Sequence, residues 1–159
     1  MTQRKAIVYS VLAIAAAAFW LHTHSDRAQV SRVFDSLENA IARESAETVM
    51  ESAAKSQAFA RRFTARCSIS APAYGVDSAC SRENISGGML AFRSGVKNIR
   101  VKFKNLAISI ADLEANVEGV ADLNGTDYSW PQKGGESIGF SAHLVKVDGK
   151  WLIDRIAVP

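Results

Sequence analysis

The hydrophobic period of this chain changes once, near Val96, and that change limits its possible folds more than any other feature. Upstream, apolar residues recur at helical spacing. Val30, Val33, Phe34, Leu37, Ala40 and Ile41 make the i, i+3, i+4, i+7 stripe of an amphipathic helix from Asp26 to about Ala42, with Arg27, Arg32, Glu38 and Arg43 opposite. A second helix is expected from about Ala46 to Thr64, with Ser45 as its N-cap and Val49, Met50, Ala53, Ala54, Phe59 and Phe63 on its apolar side. Its periodicity slips near Lys55-Ser56. A third is expected from Arg82 to about Arg93, capped by Ser81, carrying Ile85, Met89, Leu90 and Phe92 and stopped by Gly95.

Downstream the period is two. Ile99, Val101 and Phe103 alternate with Arg100, Lys102 and Lys104, the pattern of a strand with one wet face. Leu106–Ile110, Ala115–Leu123, Ser137–Val147 and Lys150–Val158 read as four more strands, with Gly119 marking a bulge or bend. Asn124-Gly125 opens a polar loop that ends near Glu136, and Asp148-Gly149 signals a two-residue hairpin turn. Helices followed by a run of antiparallel strands make an α+β fold, with N-terminal helices packed on one face of a curved antiparallel sheet. A chain of 159 residues with 48% apolar and 22% charged residues fits one such domain, at 25–159.

Positions 1–24 are different in kind. Arg4 and Lys5 precede an uncharged apolar run from Ala6 to Leu21, the pattern of a signal anchor or signal peptide. The run is shorter than the ~20 residues that span a typical bilayer. A small-residue cleavage site exists at Ala16-Ala17-Ala18, but cutting there would leave Phe19-Trp20-Leu21 at the new N-terminus. An uncleaved anchor is favoured, with Trp20, His22 and His24 at the membrane interface. The positive-inside rule then puts the domain on the extracytoplasmic, periplasmic side of a bacterial cytoplasmic membrane, or secretes it if the signal is cut. His22 and His24 lack enough neighbouring ligands for a metal site, and no metal or cofactor is expected.

From Ser25 onward there are 17 Lys+Arg against 16 Asp+Glu, so the basic pI near 9.0 gives the domain no electrostatic reason to bind nucleic acid. Arg61, Arg62 and Arg66 read as a solvated helix face rather than an anion site. In an oxidising compartment, Cys67 and Cys80 read as a disulfide closing a loop with a short strand at most at its start, the alternatives being two free buried thiols or, against the spacing, a redox pair. The chain-entropy model gives such a closure roughly 3 kcal/mol.

Two segments carry a family resemblance. Ser81-Arg82-Glu83-Asn84-Ile85 opens the third helix, and Leu144-Val145-Lys146-Val147-Asp148-Gly149-Lys150-Trp151-Leu152-Ile153 closes the chain as an apolar hairpin. With the order of elements from Asp26 to Pro159, they resemble the nuclear-transport-factor-2-like (NTF2-like) superfamily, which includes ketosteroid-isomerase-like and SnoaL-like, polyketide-cyclase-like proteins. The resemblance implies a cone-shaped barrel: a bent sheet around a cavity, closed on one side by helices. Members include enzymes, protein-binding modules and assembly components, so the fold does not choose the function.

A two-residue turn at Asp148-Gly149 pairs Val147 with Lys150 and, counting back, His143 with Asp154. A carboxylate beside an imidazole at cross-strand distance can orient it as a general base. The plainer reading, a charge pair on the outer sheet face, is favoured because most such pairs are structural. The faces carrying Phe140, Ala142, Leu144, Trp151, Ile153 and Ala157, and His143, Val145, Val147, Leu152, Ile156 and Val158, are both apolar enough to line a cavity. Tyr128 and Trp130, on the long loop, are candidate binding residues for a partner or a lid. The expected function is a non-catalytic module, tethered to the membrane by its N-terminal helix. It would bind an envelope protein or a small apolar ligand and could pair as a homodimer through the open sheet face. The alternative is an isomerase- or dehydratase-like enzyme that uses His143 and Asp154 on a small hydrophobic substrate.

Overall fold

A computed structural model describes residues 25–126 and 135–159. Three helices come first among them: α1 (Asp26–Ile41), α2 (Val49–Ala60) and, after a strand pair, α3 (Arg82–Gly95). The strands are β1 (Phe63–Ala71), β2 (Val76–Ser81), β3 (Asn98–Ala111), β4 (Glu114–Thr126), β5 (Glu136–Val147) and β6 (Lys150–Ala157). They form one sheet in the order β2-β1-β6-β5-β4-β3, and the helices cover one of its faces.

Each helix starts where its sequence supplies a cap. Ser25 accepts a hydrogen bond from the amide of Ala28 at the head of α1. Thr48 and Glu51 form a capping box on α2, and Ser81 and Asn84 form another on α3. The cap of α2 is therefore Thr48, not the expected Ser45. The helix also ends at Ala60, before Phe63 starts a strand.

The segment expected as a loop between the cysteines is the β1–β2 hairpin, turned by Pro72–Tyr74 and a left-handed Gly75. β2 is a mostly exposed edge strand, so no burial alternation marks it. In β1 a register shift between Phe63 and Ser68 breaks the period of two. β1 also runs parallel to β6, so the sheet is mixed and not wholly antiparallel. The two hairpin systems meet along that parallel seam.

The two strands expected at 99–104 and 106–110 are one strand, β3, with a bulge between Lys104 and Ala107 where Asn105 adopts φ 55°. Gly119 faces this bulge from β4. A Cβ there would lie 2.8 Å from Leu106 Cδ2 and 3.1 Å from the Lys104 carbonyl oxygen, so the close approach of the two strands requires glycine. β4 continues through Asn124 and Gly125, which pair with Arg100 and Ile99 instead of opening the loop.

The main core joins α1 (Val30, Val33, Phe34, Leu37) to the inner sheet face (Ala115, Val117, Phe140, Leu144, Ile153). Among the described residues one charged side chain is fully enclosed. Arg93, at the end of α3, donates to the carbonyls of Ala40, Ile41 and Ala42 at the C-terminus of α1, to Ser52 Oγ on α2, and to the Glu47 carboxylate. It thereby satisfies helix-end acceptors that would otherwise be buried without donors.

Candidate functional site

A partly open cavity of about 250 Å³ lies between α1, α3 and strands β3 to β6. Phe34, Leu37 and Ile41 form its α1 wall, Met89 and Phe92 its α3 wall, and Ile99, Val101 and Phe103 its β3 wall. All fourteen lining residues are apolar; no described carboxylate, hydroxyl or imidazole reaches it. Phe34, Phe103 and Phe140 make a ring cluster at its floor, with centroids 5.3 to 5.7 Å apart.

The closing hairpin decides which face looks inward. Asp148 and Gly149 take φ 49° and 74°, the two positive values of a type I′ turn. Val147 pairs with Lys150, and the expected register holds as far as Leu144 with Ile153. It then shifts. His143 pairs with Arg155, and Asp154 is the extra residue of a bulge. The bulge reverses the side-chain parity of the rest of β6. Ile156 and Val158 therefore turn into the cavity beside Ile138 and Phe140, instead of sharing a face with His143.

His143 and Asp154 are still neighbours, on the outer side of the sheet. His143 Nδ1 lies 3.7 Å from Asp154 Oδ2, and His143 Nε2 lies 3.6 Å from Glu114 Oε2. Thr64 Oγ1 donates to Asp154 Oδ1 at 3.4 Å. The imidazole is about three-quarters covered (24% exposed), yet its Nδ1 has no hydrogen-bond partner among the described residues. Neither residue lines the cavity. The expected pair is therefore close in space but separated by the thickness of the sheet from the apolar cavity.

No family model matches the chain, and no curated protein matches it. Solved structures do. A candidate scytalone dehydratase from Novosphingobium aromaticivorans DSM 12444 superposes with TM-score 0.61 at 18% identity, over 82% of this chain and 80% of that one. A candidate calcium/calmodulin-dependent protein kinase II association domain from Xanthomonas campestris gives 0.64 at 20%, over 84% and 86%. The Kfla4162 protein of Kribbella flavida gives 0.68 at 10%, over 84% and 88%.

The fold is that of the nuclear-transport-factor-2-like superfamily.

Within this nuclear-transport-factor-2-like cone, the remaining sequence candidates fall as follows. Tyr128 and Trp130 lie outside the described residues, as do His22, His24 and the whole 1–24 segment. Cys67 and Cys80 are direct cross-strand partners and stand as free thiols in this structure. Burial pushes the Cys67 thiol up, and the neighbouring Cys80 adds to the shift. Among the described residues no group of three or more His, Cys, Asp or Glu could hold a metal ion, and no helix is long and apolar enough to cross a membrane. The sequence reading missed the inward turn of Ile156 and Val158. Its signal was the step of three from Ile153 to Ile156 in a strand otherwise stepping by two.

Proposed function

We propose that this protein is a non-catalytic binding module that holds a small apolar molecule inside its cone. The carrying observation is the wholly apolar lining of the cavity. Small-molecule sites are mostly apolar with a few polar groups that fix orientation. Among the described residues no polar group lines the cavity to orient or activate a substrate. A cavity of 150 Å³ accommodates benzene, so one of about 250 Å³ suits a ligand of about two fused rings. One neighbour's name is that of a dehydratase. Proton transfer in this cone would need an acid or base that the described lining does not provide. Another neighbour's name is that of an association domain, which agrees with a binding role. The reading includes tethering by residues 1–24 at the outer face of a bacterial cytoplasmic membrane, and contact with an envelope protein or a second copy through the outer sheet face.

Naphthalene titrated into the full chain is expected to bind saturably. Ala121→Phe, which fills the cavity from β4, is expected to weaken that binding by about tenfold or more while leaving the fold intact. His143→Gln should leave it unchanged. Absence of saturable binding by the folded parent chain would sink the reading.

Export to an oxidising compartment has its own signature. Residues directly opposite in an antiparallel pair have Cα atoms about 4.5 to 5.5 Å apart, inside the range a disulfide spans. Protein recovered from the envelope is expected to be lighter by two hydrogens and to regain them on reduction. Recovery as two free thiols would count against this location.

A further inference from the structure

Four basic side chains meet in one open groove of about 570 Å³ at the end of the cone where α1 begins. Arg32 comes from α1, Arg61 and Arg62 from just past α2, and Lys150 from the β5–β6 turn; Gln29 and Trp151 lie between them. No ion pair engages any of the four among the described residues. No acid lines the groove either: Asp35 and Asp148, close in sequence, lie outside it. The domain from Ser25 is nearly neutral, at 17 basic against 16 acidic residues. Four unpaired positive charges in one groove therefore leave the rest of its surface net negative. The sequence put Arg61, Arg62 and Arg66 on a solvated helix face; the fold collects the first two with Arg32 from α1 and Lys150 from the last hairpin.

The groove sits beside the point where the N-terminal segment joins the domain. Asp26 is fixed there by Lys146 Nζ at 2.5 Å and by Trp151 Nε1 at 3.2 Å, and Trp151 also lines the groove. Gln29 and Arg32 follow Ser25 by one and two helical turns, or roughly 6 and 10 Å along the axis. The apolar run of the sequence ends at Leu21, and the chain from Leu21 to Ser25 spans at most about 14 Å when extended.

We infer that this groove docks the domain onto anionic lipid headgroups, with its arginines holding phosphodiester oxygens. The inference rests on the tethered reading proposed above. Guanidinium groups suit this chemistry because their planar forks engage phosphate oxygens in pairs. Each basic residue held at an anionic bilayer surface strengthens association by about fivefold. A tether that brings four of them to the surface makes docking the favoured state.

The test uses the full chain in nanodiscs of phosphatidylcholine alone or mixed with phosphatidylglycerol. Phenylglyoxal modification of each arginine is followed by mass spectrometry. The expected result is a slowing of at least about fivefold at Arg32, Arg61 and Arg62 in anionic discs only, reversed by high salt. Arg100, 77% exposed on the opposite edge strand, is the unchanged control. Arg61→Gln with Arg62→Gln should abolish protection at Arg32; Arg32→Gln with Lys150→Gln should abolish it at Arg61 and serves if the first pair fails to fold. Equal rates in both discs overturn the proposal. So does equal protection in neutral discs by millimolar glycerol 3-phosphate, which assigns the groove to a soluble phosphate ester. Failure of the tether is read separately, as loss of the parent chain from neutral discs. If that chain still bound anionic discs through Arg61 and Arg62, the groove would stand without the anchor.

Discussion

Replacing Arg93 with Met is expected to destabilise the protein by about 3–5 kcal/mol, the usual effect of removing one partner from a buried ion pair. Thermal melting should fall by roughly 10–20 °C. The side chain is fully buried and ends among three carbonyls, a hydroxyl and a carboxylate. Met fills most of the volume but leaves these acceptors without their donor, and each unsatisfied buried acceptor costs about 1–3 kcal/mol. Lys55 remains beside Glu47, at 2.8 Å, and moderates the loss. Arg93→Lys should recover only part of the stability, since an ammonium cannot span α1, Ser52 and Glu47 together. Acid provides the second readout. Burial pushes the Glu47 carboxyl up, but hydrogen bonds from Arg93 and Lys55, with their charges, outweigh it and bring the pKa to about 2, against 4.5 normally. A carboxylate depressed in the folded state stabilises it above its unfolded pKa. Stability of about 3 kcal/mol is therefore present above pH 4.5 and lost progressively as pH falls toward 2. Other carboxylates, including Asp26 and Asp122, are also lowered, so the informative quantity is the difference between parent and variant. Arg93→Met should flatten the acid slope in that window. A variant that melts with the parent, on the same slope, would remove the clamp from the account of the fold.

That clamp shows what was legible in the sequence and what was not. Arg93 follows Ile85 and Met89 at steps of four, on the stripe that faces inward. A charge on an apolar stripe signals a buried polar partner, but the partners come from α1 and α2 and are set by tertiary packing. The helix-then-strand order, the Ser81 cap and the Asp148-Gly149 turn were readable because each depends on local chemistry within a few residues. Gly119 marked the first bulge from the facing strand and the second was missed, though each left a trace. Phe103 to Leu106 and Ile153 to Ile156 are steps of three between inward residues, where an unbroken strand steps by two. Reading the first as a strand break split β3 in two, and reading the second as no event at all produced the wrong register for His143 and the wrong face for Ile156. β1 and β2 were hidden for a different reason. One carries a register shift and the other an exposed edge, and neither leaves a burial period to read.

Phe34→Ala is expected to lower stability by about 3–5 kcal/mol, the usual loss for a buried phenylalanine. Phe34 is 1% exposed and stacks against both Phe103 and Phe140 at the floor of the cavity. Its removal deletes one of the three mutually packed rings of that cluster. The new space adjoins an existing apolar cavity, so the two should merge into a larger one. This separates a cavity that binds from a packing defect. If the cone takes apolar ligands, the variant should bind a larger aromatic than the parent does. Ligand at a hundredfold excess over its Kd would then restore about 2.7 kcal/mol, most of the loss. Denaturant melts of parent and variant, with and without a saturating two-ring and three-ring hydrocarbon, read all the terms at once. The parent should gain more from the smaller ligand and the variant more from the larger. If neither ligand stabilises either protein, the apolar lining is only the inner surface of an imperfectly filled core, and the binding reading has no cavity to act through. If both stabilise the variant alone, the native cone is too tight for small hydrocarbons, and a partner on the outer face becomes the better account of what the domain holds.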